Sequence, residues 1–361
     1  MSGEPSPLAT ERREFLLAEL HRTGAVRGSV VAKMLGVSEL TIRRDIAELA
    51  RTGRAVSVHG GATLPADAEL PSGGHEGRTL GMVVPSLEYY WPDVIVGARS
   101  AAEDASARIV LRGSSYDGGV GDRHQLTALL RGGRVDGLLV APAAGTRLGA
   151  RILPWLEQLP VPVVLMERQV PIAAGSHRLG WVTTDHALGA DLAVRHLARQ
   201  GHRRVAVMVG RESPTSVHVV RGWRDACASL HLDVDGREDV IVADPPSPDG
   251  RRDVRGALAR VLARGATAVL VHSDLDAIAV LEACRAIGVR VPRDLALVAY
   301  DDEVAASASP ALTAVRPPRE EIGRRSVEML LERIEHGADR SVQRLQLVPT
   351  LIVRESSVRT E

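Results

Sequence analysis

Residues 38–49 read SELTIRRDIAEL, and this stretch sets both a helix and what its outer face carries. Ser38 is a residue type that caps a helix start by accepting a backbone N–H, and Ile42, Ile46 and Leu49 recur at i, i+4 and i+7 as one apolar stripe. Thr41, Arg43 and Arg44 fall within the first turn and a half, off that stripe. An arginine pair on an arbitrary helix is most often a solvated face. The flanking sequence decides whether that bland reading holds here.

Upstream, TERREFLLAELHRTG (10–24) places Phe15, Leu16 and Leu20 on one helical face and ends on Gly24, a helix stop. SVVAKMLG (29–36) reads as a second, short helix, with Val30, Val31, Met34 and Leu35 expected to face inward. Downstream, GRAVSVHGGAT (53–63) has alternating apolar residues and a Gly60–Gly61 turn, the pattern of a two-stranded wing. Three helices and a small ribbon make a winged helix-turn-helix. In such a module the third helix enters the DNA major groove with its N-terminal residues facing base edges. Arginine suits that position because its planar fork bonds guanine O6 and N7 together or clamps a phosphate, and threonine adds a phosphate bond or a methyl contact.

Taken whole, residues 35–63, LGVSELTIRRDIAELARTGRAVSVHGGAT, resemble the N-terminal winged helix of the DeoR family of bacterial repressors, whose pattern includes VSxxTIRRDLxxLxxxGxxxRxHGGA. The resemblance covers about fifty residues and implies that Ser38, Thr41, Arg43 and Arg44 contact DNA while His59 and its glycine neighbours form the wing. The family often carries an arginine before the wing histidine; Ser57 stands near that place here.

Residues 64–78, LPADAELPSGGHEGR, lack periodicity and are rich in Pro, Gly and acids, so they read as a linker. From residue 79 the rhythm changes. TLGMVVP, RIVLRGSS, VDGLLVAP and VPVVLME are strands separated by helices, and a second series comes after them with RVAVMVG, DVIVAD, AVLVHS and LALVAYDD alternating with helices such as ALGADLAVRHLARQG and DAIAVLEACRAIG. Regular βα alternation means parallel sheets covered by helices on both faces. The fold class expected is therefore α/β: a winged helix (1–63), a linker (64–78) and two Rossmann-like, doubly wound lobes (79–361) with a cleft between them.

Residues 79–354 are similar to the effector-binding core of the LacI/GalR repressors, which are related to periplasmic binding proteins. The residues that carry this include LGMVVPS, RVDGLLVAP, HLARQGHRRVAVMVG, RGWRDA, GVRVPRDLALVAYDD and PALTAVRPPREEIGRR. DeoR proteins usually carry a sugar-phosphate isomerase-like domain instead, so the chain is a hybrid. The resemblance implies lobes at roughly 79–184 with 314–340, and 185–313 with the C-terminal segment, and an effector bound at the carboxyl ends of strands. Position by position, Tyr90 and Trp91 match aromatics that line the pocket. Glu167 stands where the family commonly has an aspartate that accepts from ligand hydroxyls, Asp301 matches a second such carboxylate, and Ser273 a polar pocket position. Asp302 is expected to support the loop. The family's arginine three residues before the glycine of RGW is Val219 here, leaving Arg221, Thr215 or His218 as the nearby polar candidates.

Elementary chemistry supports part of this independently. The chain has nine aromatic residues, so the cluster Tyr89, Tyr90, Trp91 is conspicuous, and a flat ring against sugar C–H groups is a physical reason for it. A carboxylate that accepts two hydroxyl bonds discriminates strongly against ligands lacking them.

Composition narrows the alternatives. Forty-five basic residues balance forty-five acidic ones, which excludes a chain basic throughout but not a local basic face. Two distant cysteines, Cys227 and Cys284, make neither a disulfide framework nor a zinc site, so no metal is expected. The N-terminus lacks a basic stretch followed by an apolar one, and no window approaches ~18 uninterrupted apolar residues. A cytoplasmic protein without a membrane anchor is expected. An enzyme on a doubly wound fold is the competing class, but the first βα turn, VVPSLEYYWPD, lacks a G-x-G-x-x-G fingerprint, and neither a P-loop lysine nor a G-x-S-x-G elbow occurs. A solute-binding protein would share residues 79–354 without the DNA-binding module. No catalytic residue and no cofactor are expected. The expected partners are operator DNA, a small sugar-like effector and a second copy of the chain.

Overall fold

The computed structural model describes residues 7–65, 68, 77–114, 120–131, 135–142, 152–169, 178–211, 213–233, 240–243, 254–337 and 340–358. Most of the stretch read as a linker therefore lies outside the described residues. The chain forms two compact units, Met1–Thr183 with Arg319–Leu345, and Thr184–Pro318 with Gln346–Glu361.

The first unit begins with α1 (Ala9–Thr23), β1 (Ala25–Arg27), α2 (Gly28–Met34), α3 (Glu39–Arg51), β2 (Val56–Val58) and β3 (Gly61–Thr63). Gly24, with φ of +83°, ends α1 in the left-handed conformation and donates its N–H to Leu20 O at 2.8 Å. Ser38 caps α3, accepting from the Thr41 N–H at 3.2 Å, worth about 1 kcal/mol at such a position. Ile42, Ile46 and Leu49 pack with Leu16, Leu17, Leu20 and Val31 in one core. Each such side chain removed from water contributes roughly 1.5–3 kcal/mol. Asp45, on the same side of α3, is buried and accepts from Arg12 Nε at 2.7 Å, which ties α3 to α1.

One expectation for this module needs correction, and one strand was not anticipated. The ribbon expected over residues 53–63 forms as β2 and β3, and β1 joins it as a third strand, in the order β1-β3-β2, all antiparallel. At three residues, β1 is too short to show a period. In α2, Val30 and Met34 are exposed, and Val31 and Ala32 are the buried pair. A seven-residue helix buries only about one residue per turn, so an apolar face four residues wide was too much to ask of it.

The winged helix is mounted directly on a larger sheet. The next elements are β4 (Thr79–Val84), α4 (Trp91–Asp104), β5 (Arg108–Gly113), α5 (Val120–Arg131), β6 (Gly137–Val140), α6 (Ile152–Leu156), β7 (Val163–Met166) and β8 (Gly180–Thr184), with α11 (Arg319–His336) and β14 (Arg344–Leu347) arriving from the far end of the chain. Their sheet runs β14-β8-β7-β6-β4-β5, and the β8-β7-β6-β4-β5 run is parallel. β5 packs against β1 and β3 of the winged helix. A Cβ on Gly24 would lie 2.5 Å from the Leu111 carbonyl oxygen, so the two backbones approach as closely as glycine allows. Arg112, fully buried on β5, donates through Nη1 to Leu64 O at 2.6 Å and Pro65 O at 3.3 Å. Burial pushes its guanidinium down to about 10, still charged at neutral pH. Leu64 itself belongs to the winged-helix core.

The second unit holds α7 (His186–Arg199), β9 (Val205–Gly210), α8 (Ser216–Ser229), β10 (Val240–Ala243), α9 (Val254–Ala263), β11 (Ala268–His272), α10 (Asp274–Ala286), β12 (Ala296–Tyr300), β13 (Thr313–Arg316) and β15 (Thr350–Ile352). Its sheet order is β10-β9-β11-β12-β13-β15, parallel except for the last pair. Alternate residues of β11 serve different cores: Ala268 and Leu270 pack with α7 and α8, Val269 and Val271 with α9 and α10. A strand buried on both faces is what a continuous apolar run such as AVLVH requires. No described helix is long and apolar enough to cross a membrane.

Candidate nucleic-acid interface and effector-binding site

The outward face of α3 carries Leu40, Arg43, Arg44 and Ala47, all exposed, at the spacing that puts i, i+3, i+4 and i+7 side by side. Arg43 lines a groove of about 320 Å³ together with Glu39, Ser57, His59 and Gly60 of the wing, and Glu88. Thr41 is half-buried, and its hydroxyl lies 2.9 Å from the Ser38 hydroxyl. Ser38 is thus occupied in the cap, and Arg43 and Arg44 are the groups presented outward. Leu40, 54% exposed, is a residue that sequence reasoning missed. The i, i+3, i+4 rule that places the arginines would have found it, and an apolar side chain there suits a thymine methyl.

In the first unit the expected effector residues converge. Tyr90 precedes α4, and its hydroxyl donates to Glu167 Oε1 at 2.5 Å. Glu167 follows β7, is buried, and adopts φ of +53°, with its N–H bonded to Val182 O. The positive φ turns the chain out of its strand conformation at Glu167. Trp91 meets the Tyr90 ring edge-on at 5.7 Å and is almost fully buried, so it is as much a packing residue as a lining one. Two arginines escape the sequence reading. Arg168, buried, donates to Pro142 O and Glu167 O and lies 5.8 Å from the Trp91 ring centre. Arg319, at the start of α11, lies 5.7 Å from the Tyr90 ring centre and pairs with Asp93 at 3.1 Å. Arg168 adjoins Glu167 in the sequence and could have been flagged from it, whereas Arg319 lies far along the chain from Tyr90 and no local pattern flags it. Beyond β5, Ser114 Oγ and Gln125 Oε1 are buried and have no hydrogen-bond partner among the described residues.

In the second unit, Asp301 follows β12 with φ of +107°, buried, its Oδ1 4.0 Å from His272 Nε2. The neighbouring acid does something else. Asp302 is bound by Arg316 at 2.6 Å and by Arg354 at 2.7 Å, which locks the turn. Asp274, fully buried at the start of α10, accepts backbone N–H bonds from residues 302–305 and holds the same turn from the other side. Desolvation still pushes its carboxyl above the ordinary range. Ser273 caps α10 and is half-buried. His186, His272 and Tyr300 form a cluster that no sequence pattern announces: His186 Nδ1 lies 3.1 Å from the Tyr300 hydroxyl, and the His272 ring 5.5 Å from the Tyr300 ring. Thr215 precedes α8 and is half-buried. Val219, on α8, is fully buried in the core, while Arg221 lies on the exposed side of the same helix. Two helical residues apart is about 200°. Arg221 therefore does not take over the place of Val219.

Residues 12–67 match the model of the DeoR-like helix-turn-helix domain, and residues 194–357 that of the periplasmic binding protein-like domain. The HTH-type transcriptional regulator CelR of Thermobifida fusca is 32% identical over 279 residues, 74% of this chain and 76% of the relative. The chain belongs to the LacI family of transcriptional regulators. The arabinose metabolism transcriptional repressor of Geobacillus stearothermophilus is 26% identical across 91% of this chain and 89% of its own length. Among solved structures, a CelR–cellobiose complex superposes with a TM-score of 0.64 at 26% identity, covering 97% of this chain and 99% of the other. This LacI-type regulator is thus a hybrid, with a DeoR-like helix-turn-helix in front of a periplasmic-binding-protein-like effector domain.

Proposed function

We propose that this regulator represses a carbohydrate uptake or catabolic operon and that a small sugar controls its grip on the operator. The observation that carries the reading is the pairing, on one chain, of an exposed Arg43–Arg44 face on a capped helix with buried carboxylates at strand ends, Glu167 and Asp301. Arg43 and Arg44 read base edges or clamp phosphates, with Thr41, Ser38 and His59 flanking them. Tyr90 and Trp91 offer ring faces, and Glu167, Asp301, Ser273 and Thr215 offer hydroxyl partners. A sugar that takes the hydrogen bond Glu167 now receives from Tyr90 exchanges one charged-acceptor bond for another, so recognition costs little desolvation. The protein acts in the cytoplasm as a homodimer, whose two recognition helices read inverted half-sites, and it binds its effector without turning it over.

Anisotropy of a labelled duplex from the gene's own upstream region tests this, with and without cellobiose, ribose, arabinose and other sugars, in wild type and Arg43→Ala. Binding that Arg43→Ala removes and one sugar shifts is the expected result. Operator affinity indifferent to every sugar sinks the carbohydrate reading, and absence of specific DNA binding sinks the whole.

A further inference from the structure

The loop that carries Tyr90 also touches the wing. Between β4 and α4 the chain runs Ser86-Leu87-Glu88-Tyr89-Tyr90. At one end of this loop, the Leu87 N–H donates to His59 O at 3.0 Å, and the Glu88 carboxylate lies 3.7 Å from His59 Nε2. Its backbone is braced there, since the Ser86 hydroxyl and the Glu88 main chain bond each other in both directions. Gly60, at the wing tip with φ of +85°, is the residue Glu88 packs on, and a Cβ there would overlap the Glu88 side chain. Three residues on from Leu87, the Tyr90 hydroxyl bonds Glu167. One short, braced segment therefore spans the effector residues and the DNA-reading groove.

Glu88 also stands inside that groove, among Arg43, Ser57 and His59. A carboxylate in a groove that must accept phosphates repels them and competes for the arginine and the histidine.

We propose that Glu88 is a positioning residue for the wing: through His59 and Gly60 it holds the wing in a conformation that keeps its own carboxylate in the groove, and the Ser86–Tyr90 loop passes changes at the Tyr90–Glu167 bond to the wing. The proposal rests on the reading of the chain as an effector-controlled DNA-binding protein, but its core is mechanical and requires neither the operator nor the effector to be identified. In this conformation Glu88 blocks part of the groove, so this is the weaker-binding arm of the switch.

Hydrogen–deuterium exchange on the full chain tests the relay directly. The amides of Leu87 and of residues 58–63 are followed in wild type, Glu88→Gln, Tyr90→Phe and the double variant, with thermal melts as a check that each is folded. Tyr90→Phe removes a bond of Glu167, not of the wing, yet it is expected to speed exchange in the wing roughly two- to tenfold, the scale of one hydrogen bond. The double variant is expected to exchange no faster than the quicker single one, because both act through one segment. Wing amides unmoved by Tyr90→Phe, or effects of the two changes that simply multiply, overturn the relay. In parallel, Glu88→Gln is expected to raise affinity for the upstream duplex, and an unchanged or lower affinity overturns the groove-blocking role. If the wing responds to Tyr90→Phe and no variant binds DNA, the relay stands and the functional reading fails.

Discussion

The α3 arginine face, proposed to read DNA, and the carboxylate clusters at Glu167 and Asp301, proposed to hold the effector, are opposite solutions to the problem of holding side chains in place. Arg43 and Arg44 stand out from α3, exposed, placed by helix geometry alone. Glu167 and Asp301 are buried, each at the end of a strand in a left-handed turn, each within reach of a side chain from a distant part of the chain. A surface that reads DNA needs an orderly row of long cations, and one helix supplies it. A pocket that discriminates hydroxyls needs carboxylates stripped of water and fixed in direction, which takes several strands. Substitution in the first arrangement is expected to cost binding rather than the fold.

The largest effect that probes this contrast is on the DNA side. Replacing Arg43 and Arg44 together by alanine is expected to leave the melting temperature near wild type and to weaken operator binding by about 2–6 kcal/mol, since each base-edge contact contributes about 1–3 kcal/mol. Salt titrations divide the two arginines: a phosphate-binding arginine lowers the salt slope by about 1 when removed and weakens all sequences alike, a base-reading one relaxes specificity at one position. A large drop in melting temperature would mean the exposed face is structural after all.

On the pocket side, two adjacent acids should behave differently. Asp302 is almost wholly enclosed, with Arg354 mostly buried and Arg316 half exposed. Asp302→Ala leaves the Arg354 guanidinium without its carboxylate partner, bonded only to Leu312 O among the described residues, and is expected to destabilise the second unit by roughly 3 kcal/mol, the low end for a buried pair because Arg316 meets solvent. Denaturant unfolding reads this out. Asp301→Asn is expected to spare stability and to weaken sugar binding by about 1.5–3 kcal/mol, the worth of a hydrogen bond to a charged group, while operator binding without sugar stays as in wild type. Calorimetry with the sugar found by the anisotropy screen checks it, and the reverse assignment of the two acids would show that the turn is aimed differently.

The same contrast explains what could be read in advance. The capped helix and its exposed arginine face were legible because cap, apolar stripe and arginines lie within the single stretch from Ser38 to Leu49, all governed by one helical period. The doubly wound lobes were legible because strands buried on both faces leave long apolar runs. Strand β8 (GWVTT) and edge strand β15 were not anticipated, since their register is set by neighbours rather than by their own alternation. Arg319 and the His186–His272–Tyr300 cluster stayed hidden for a related reason: each becomes notable only once strand ends and helix starts far apart in sequence meet. The mounting of the winged helix on β5 through Arg112 and Leu64 was invisible too, because the sequence between residues 64 and 78 carries no periodicity to announce a contact.

The smallest effect concerns two thiols. Cys227 and Cys284 are both buried in the second unit, Cys227 with α7 and α8 on one side of the sheet and Cys284 with α9 and α10 on the other. Burial pushes the Cys284 thiol up to about 11. At pH 8 a group with that value is thiolate on the order of one part in a thousand, and enclosure removes even that fraction from attack. Alkylation of Cys284 in the native protein is therefore expected to wait for local opening, whereas unfolded chain reacts at once. A sugar that binds the Asp301 turn favours the closed state by mass action, so labelling of Cys284 should slow as sugar is raised past its Kd. Asp301→Asn should shift that slowing to higher sugar concentration in proportion to its lost affinity. Labelling that slows equally in both proteins would place the sugar elsewhere than at Asp301.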